Sequence, residues 1–192
     1  MAIEDGKKPE EETTHLLPKS KLFGQPLVSI RSASLLATIT AAVLMGLNKQ
    51  TRTITVAIVG TTPVLQSFTA TFQQTPAFVY FVVANAAASL YNLVLLVLRP
   101  LLKPKAHDFL LFLLDMVMFA LVATGAATAA SMAELGKNGN MHARWNPVCD
   151  RFEGFCIRGG LAIVASSIGA LLLFIMNAFT ASILCKSVKS QN

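Results

Sequence analysis

Phe109-Leu110-Leu111-Phe112-Leu113-Leu114-Asp115-Met116-Val117-Met118-Phe119-Ala120-Leu121-Val122-Ala123 is an apolar run with one acid near its middle. It belongs to a longer stretch, about 108 to 133, interrupted only by that acid. About 20 apolar residues span a bilayer as a helix. A full charge inside such a helix costs roughly 2.5–3.5 kcal/mol on insertion scales, so Asp115 calls for a partner or a task. Three further apolar stretches lie at about 27–47, 76–98 and 159–185, and the first carries Arg31. One arginine and one aspartate on different helices suggest each other.

All four stretches are continuous apolar runs rather than ten-residue alternations, so they read as helices and not barrel strands. Composition agrees. The charged share is 14% and the hydrophobic share 54%, against about 25% charged for a soluble domain. The chain is expected to be an all-α integral membrane protein, a bundle of four transmembrane helices. The net charge of +6 is scattered between spans. No basic run is interleaved with aromatics, so no nucleic-acid partner is expected. Residues 1–21 are polar, with Glu10-Glu11-Glu12 among lysines, and read as a disordered tail. No apolar core with a small-residue cleavage site opens the chain, so span one is expected to act as its own insertion signal. The membrane domain is expected at 22–185 and a short second tail at 186–192.

The connection Arg99-Pro100-Leu101-Leu102-Lys103-Pro104-Lys105-Ala106-His107 holds three positive charges and no acid. The positive-inside rule puts it in the cytoplasm, and with four spans both termini join it. Pro76 suits the first turn of span two, and Asp108 the N-cap of span three. The first outer loop alternates through Thr53-Ile54-Thr55-Val56-Ala57-Ile58-Val59, turns at Gly60-Thr61-Thr62-Pro63, and alternates again to Phe72. It reads as a small extracellular β-hairpin lying on the helix ends, with an irregular apolar loop as the alternative.

On this topology Arg31 and Asp115 sit roughly 6 and 10 Å from the inner ends of their spans, at 1.5 Å per residue. At helical spacing Asp115 shares a face with Val122, Ala126, Ala129 and Ala133, and Arg31 with Thr38 and Ala42. Small residues mark helix–helix contact in lipid, so both charges are expected to point inward and to pair. The alternative for Arg31 is snorkelling to the headgroups. A structural role ranks above a proton relay, since no chain of titratable groups continues from Asp115. Asn85, Asn92 and Asn177 are expected to make interhelical hydrogen bonds, or else to line a water path.

Cys149 and Cys156 lie in one outer loop, in an oxidising compartment, where a disulfide is the default and two free thiols the alternative. Closing that loop is worth about 2–3 kcal/mol in the chain-entropy picture. His142 alone gives them no zinc set, and no metal or cofactor is expected. Cys185, at the inner end of span four, is a candidate for palmitoylation or a buried structural thiol. No nucleophile elbow, phosphate loop or carboxylate pair marks an enzyme.

Several segments together resemble a known family. They are Ile30-Arg31-Ser32-Ala33, then Met45-Gly46-Leu47-Asn48-Lys49-Gln50-Thr51, then Pro76-Ala77-Phe78-Val79-Tyr80-Phe81-Val82-Val83-Ala84-Asn85-Ala86. Leu113-Leu114-Asp115-Met116-Val117-Met118 follows, and the last outer loop adds Trp145, Cys149, Phe152, Phe155 and Cys156. From Ile30 to Cys185 the chain resembles the plant CASP-like (Casparian strip membrane domain protein-like) four-span proteins. The resemblance implies a fold similar to MARVEL-type bundles, with Arg31 and Asp115 matching the family's inward Arg and Asp. It implies a plasma-membrane protein with cytoplasmic termini that forms homo-oligomers and hetero-oligomers with related four-span proteins. Founding members build a membrane platform and recruit wall-modifying enzymes. Their signature in the first outer loop differs from Gly60-Thr61-Thr62-Pro63-Val64-Leu65-Gln66-Ser67-Phe68, so the likeness is to the broader CASP-like group. The expected function is a scaffold that organises a membrane subdomain, in contact with lipids and wall-side proteins. The alternatives are a small-solute transporter or channel, or an accessory subunit of a membrane complex.

Overall fold

The computed structural model describes residues 19–59, 61–98 and 108–189. Residues 1–18 of the expected tail 1–21, the turn residue Gly60, the basic connection 99–107, the cap by the Asp108 side chain and residues 190–192 of the expected second tail lie outside what it describes. The elements are α1 (Lys19–Gly46), β1 (Lys49–Val59), β2 (Thr62–Thr71), a short 3-10 turn (Phe72–Gln74), α2 (Pro76–Leu98), α3 (Asp108–Asn138) and α4 (Glu153–Lys189). Among the described residues four helices are long and apolar enough to cross a membrane.

The helices pack in a ring. α1 and α3 each pack against both α2 and α4. α1 and α3 therefore face each other across one diagonal, and α2 and α4 across the other. The core is built from small residues, including Ala41, Ala84, Ala88, Ala129 and Ala162, with Phe81, Leu173 and Met176 filling between them. Small side chains let the backbones approach, which matters in lipid because lipid tails are as apolar as leucine and leave no hydrophobic drive between helices. Leu36, Val83, Leu161 and Phe174 point outward instead, the normal state of apolar side chains bathed in acyl chains.

Two glycines set the closest approaches. A Cβ on Gly169 of α4 would lie 2.9 Å from Thr38 Cγ2 of α1. A Cβ on Gly125 of α3 would lie 3.3 Å from Ala84 Cβ of α2. Beside the first contact Ser34 Oγ donates to the Gly169 carbonyl at 3.4 Å.

α4 begins at Glu153, six residues before its uncharged run at Gly159. An acid in the first turn complements the exposed backbone N–H groups there. Cys156 thus stands inside the first turns of α4 rather than in a loop. α3 runs past Ala133 to Asn138 and stops at Gly139, whose φ of +69° takes the left-handed conformation. A Cβ there would strike the Trp145 carbonyl at 2.5 Å.

β1 and β2 pair antiparallel from Lys49↔Thr71 to Val59↔Thr62, with a bulge between Thr55 and Ala57. One face carries cross-strand hydroxyl pairs, Thr51–Thr69 at 2.9 Å and Thr53–Ser67 at 3.2 Å. The hairpin does not lie along the helix ends. It is exposed over almost its whole length, including Ile58, Leu65 and Phe68. Only its foot is tied down, where the Phe155 N–H donates to Gln50 Oε1 at 2.7 Å. The reason lies in the alternation itself: with threonines on one side and Arg52 and Gln66 on the other, neither face is apolar enough to collapse onto the bundle.

Candidate functional site

The polar groups inside the bundle are arranged in layers. Near the termini end, Arg31 of α1 reaches across the diagonal to Asp115 of α3. Arg31 Nη2 lies 2.8 Å from Asp115 Oδ2 and 3.1 Å from Oδ1. Arg31 Nη1 donates to Asn92 Oδ1 of α2 at 3.1 Å. Tyr91 of the same helix donates its hydroxyl to Asp115 Oδ1 at 2.8 Å, and its ring lies under the guanidinium at 5.7 Å. The side chains of Arg31 and Asp115 are only 14% and 4% exposed. Both carboxylate oxygens are therefore engaged by donors, Oδ1 by two and Oδ2 by one, and such pairing is what lets a buried ion pair be tolerated in a low-dielectric medium.

Seven residues higher on α2, roughly 10 Å at 1.5 Å per residue, Asn85 Oδ1 accepts from Ser166 Oγ of α4 at 2.9 Å. That bond crosses the other diagonal. At the hairpin end Asn48 Nδ2 donates to the Phe155 carbonyl at 2.8 Å, joining α1 to the start of α4. Asn177 bonds the Leu173 carbonyl of its own helix at 2.9 Å. Asn92 Nδ2, Asn177 Oδ1 and Asn48 Oδ1 are buried without a protein partner.

Cys149 and Cys156 form a disulfide with Cα atoms 5.7 Å apart. It ties the loop after α3 to the first turns of α4, and the Val148 and Cys149 N–H groups both donate to the Gly136 carbonyl at 2.8 and 3.1 Å. Phe78 of α2 meets Phe155 edge-on beside it, with centroids 6.2 Å apart. Cys185 is exposed near the end of α4, which removes the reading as a buried thiol. Replacing Cys149 and Cys156 together with serine is expected to cost about 2.5 kcal/mol in the chain-entropy picture. Thermal unfolding of purified protein with and without reductant checks this; an unshifted midpoint would show that the crosslink contributes nothing. Non-reducing peptide mapping should recover the two cysteines in one linked peptide.

Tyr91 and Ser166 complete two of the layers and carried no signal of their own in the sequence. Tyr91 adjoins Asn92, and an aromatic hydroxyl beside an in-span amide within reach of an in-span acid is the clue that would have found it. Ser166 sits among the small residues of span four, where a hydroxyl is indistinguishable from packing.

The fold and its layers define a multi-pass membrane protein, a four-helix bundle with polar contacts through its core and a hairpin standing off one end. The chain belongs to the Casparian strip membrane protein domain family, whose model matches residues 23–172. It is 55% identical over 186 residues to CASP-like protein 1B2 of Oryza sativa subsp. indica, covering 95% of this chain and 94% of that one. It is 57% identical over 159 residues to CASP-like protein 1B1 of Sorghum bicolor, covering 82% and 75%. CASP-like protein 1B2 of Vitis vinifera is 49% identical over 160 residues, covering 81% and 78%. No solved structure matches the chain.

Proposed function

We propose that this protein is a non-enzymatic plasma-membrane scaffold that self-associates laterally and organises a membrane subdomain. The observation that carries the reading is the outward face of α3. Ala120, Thr124, Ala127, Thr128 and Ser131 are all exposed on it. The hydroxyls of Thr124, Thr128 and Ser131 bond carbonyls of their own helix. Tyr80 of α2 reaches Thr124 at 2.8 Å at one edge of the face, and beyond it the face is small with its hydroxyls satisfied, so another helix can approach Ala127, Thr128 and Ser131 closely. Family membership supports the same reading. The disulfide favours the hairpin end facing the oxidising outside, with both termini cytoplasmic. The exposed hairpin is then the surface offered to related four-span proteins or wall-side proteins. Arg31 and Asp115 hold the bundle together, and the exposed Cys185 is available for acylation at the inner face. A transport role is disfavoured because Arg31 and Asp115 are engaged with each other rather than with a passage.

Photobleaching of the tagged protein at the plasma membrane, with blue-native gels of the same sample, tests the proposal. Slow recovery with a discrete or laddered oligomer is expected. Replacing Ala127 and Ser131 with leucine should collapse the ladder and speed recovery while the protein still reaches the surface. Fast recovery with a monomer in the unaltered protein would overturn the scaffold reading.

A further inference from the structure

At the hairpin end, the upper parts of α3 and α4, the foot of the hairpin and the disulfide loop enclose a cleft of about 850 Å³. That is within the range of sites that hold sizeable small molecules, about 300–1,000 Å³. Its deep end is apolar, lined by Ala130, Met132 and Ile163 together with Phe78 and Phe155. Its upper lining brings together Glu134, Lys137 and Glu153. Along α4 the lining extends from Glu153 to Ile163, ten residues, or roughly 15 Å of helix at 1.5 Å per residue. The cleft therefore runs from the charged start of α4 to about 6 Å past Gly159, where the uncharged run of that helix begins. An amphipathic molecule fits that gradient, with its polar end at Glu153 and its apolar end at Ile163.

Gly160 explains part of the space. It lines the cleft, and a Cβ built on it meets no atom within 4 Å. A helical glycine costs roughly 0.5–1 kcal/mol relative to alanine. Gly169 on the same helix has close packing to account for it, but Gly160 packs against nothing and leaves open volume where a side chain would stand.

The charges on the lining select the head group. Two carboxylates against one ammonium leave the upper lining net negative, which repels a phosphatidylserine head. Glu134 accepts from Asn138, and carboxylate oxygens accept several hydrogen bonds each. They suit a head rich in hydroxyl donors. We propose that this cleft binds an uncharged, hydroxyl-headed amphipathic lipid, with its apolar body at the Ala130–Ile163 end and its hydroxyls toward Glu134 and Glu153. The proposal rests on the cleft and not on the scaffold reading or on which face is outside.

The chain has one tryptophan, and Trp145 lines the cleft, so its fluorescence reports occupancy. The experiment uses full-length protein in phosphatidylcholine liposomes with increasing fractions of acyl-brominated glucosylceramide, phosphatidylserine or phosphatidylcholine. Expected is saturable quenching by glucosylceramide, half-complete at a mole fraction at least fivefold below that of either comparison lipid. Gly160→Phe, which fills the cleft, should raise that mole fraction at least fivefold. Glu134→Gln with Glu153→Gln should erase the preference for glucosylceramide over phosphatidylserine. Quenching that rises linearly, with one slope for all three heads, would show ordinary bilayer contact and overturn the proposal. If Gly160→Phe does not accumulate, the head-group comparison on the unaltered protein decides alone.

Discussion

Arg31→Leu is expected to reduce recovery of folded, membrane-delivered protein severely, and Asp115→Leu to do so less. Removing one member of a buried ion pair typically costs about 3–5 kcal/mol, because the other charge is left without compensation. The two losses differ here because the side chains do. Asp115 is short, 4% exposed and about 10 Å inside its helix by the rise per residue, so without Arg31 its charge is left uncompensated in the bundle interior with no stem long enough to reach the surface. Arg31, 14% exposed, can swing its long stem toward the headgroups when Asp115 is gone. Replacing both residues with leucine removes both charges and should be milder than either single change. Tyr91→Phe, which deletes one donor to Asp115 and keeps the ring, should cost roughly 1 kcal/mol. The measurement is the fraction of monodisperse protein after extraction, with thermal midpoints for those variants that accumulate. A double variant at least as defective as the two singles combined would mean that the two residues do not act as a pair.

Gly169→Leu should separate α1 from α4. The first added carbon would already stand 2.9 Å from Thr38 Cγ2, and Thr38 is fully buried with its hydroxyl bonded to the Ser34 carbonyl at 2.9 Å. Rotating Thr38 out of the way would give up its hydroxyl contacts to the Ser34 and Leu35 carbonyls, and three further carbons follow the first. Overpacking of this kind costs about 1–3 kcal/mol where the surroundings can shift; the upper end is expected here because the contact joins two helices along their length. The loss should include the bond from Ser34 to the Gly169 carbonyl. Gly160→Ala is the matched control on the same helix: nothing meets its Cβ, and it should be neutral or stabilising by up to about 1 kcal/mol. Thermal midpoints of the two variants side by side decide the matter, and equal midpoints would show that the α1–α4 approach tolerates bulk.

Much of this architecture was legible in the residues. The cost of charge in hydrocarbon marked Arg31 and Asp115, and helical periodicity gave each an inward face. Their joint depth followed from counting residues at 1.5 Å apiece. What periodicity withholds is which helix neighbours which, since a face carries no label for its partner. Hence the diagonal course of the bridge, and the part of Tyr91 in it, had to come from the packed bundle. The alternation of Thr53 to Val59 announced strand pairing, which depends on the local pattern. It said nothing of whether the hairpin would be covered, which depends on what stands nearby. Glu153 and Arg158 break the apolar run, so the true start of α4 was hidden behind charges that a helix end accommodates. The cleft beside Gly160 had no sequence signature, because two adjacent glycines read the same whether they admit a neighbour or leave room.

The two diagonal contacts have a mechanical consequence. A four-sided frame held only along its sides can lean into a rhombus; one held across both diagonals keeps its angles. Arg31–Asp115 ties one diagonal and Asn85–Ser166 the other, about two turns apart along the membrane normal. Leaning in either direction would stretch one tie, and opening the middle would stretch both. The cross-section of the bundle in the plane of the membrane is therefore braced against shear, the property that a tile would need if copies were to meet edge to edge as proposed.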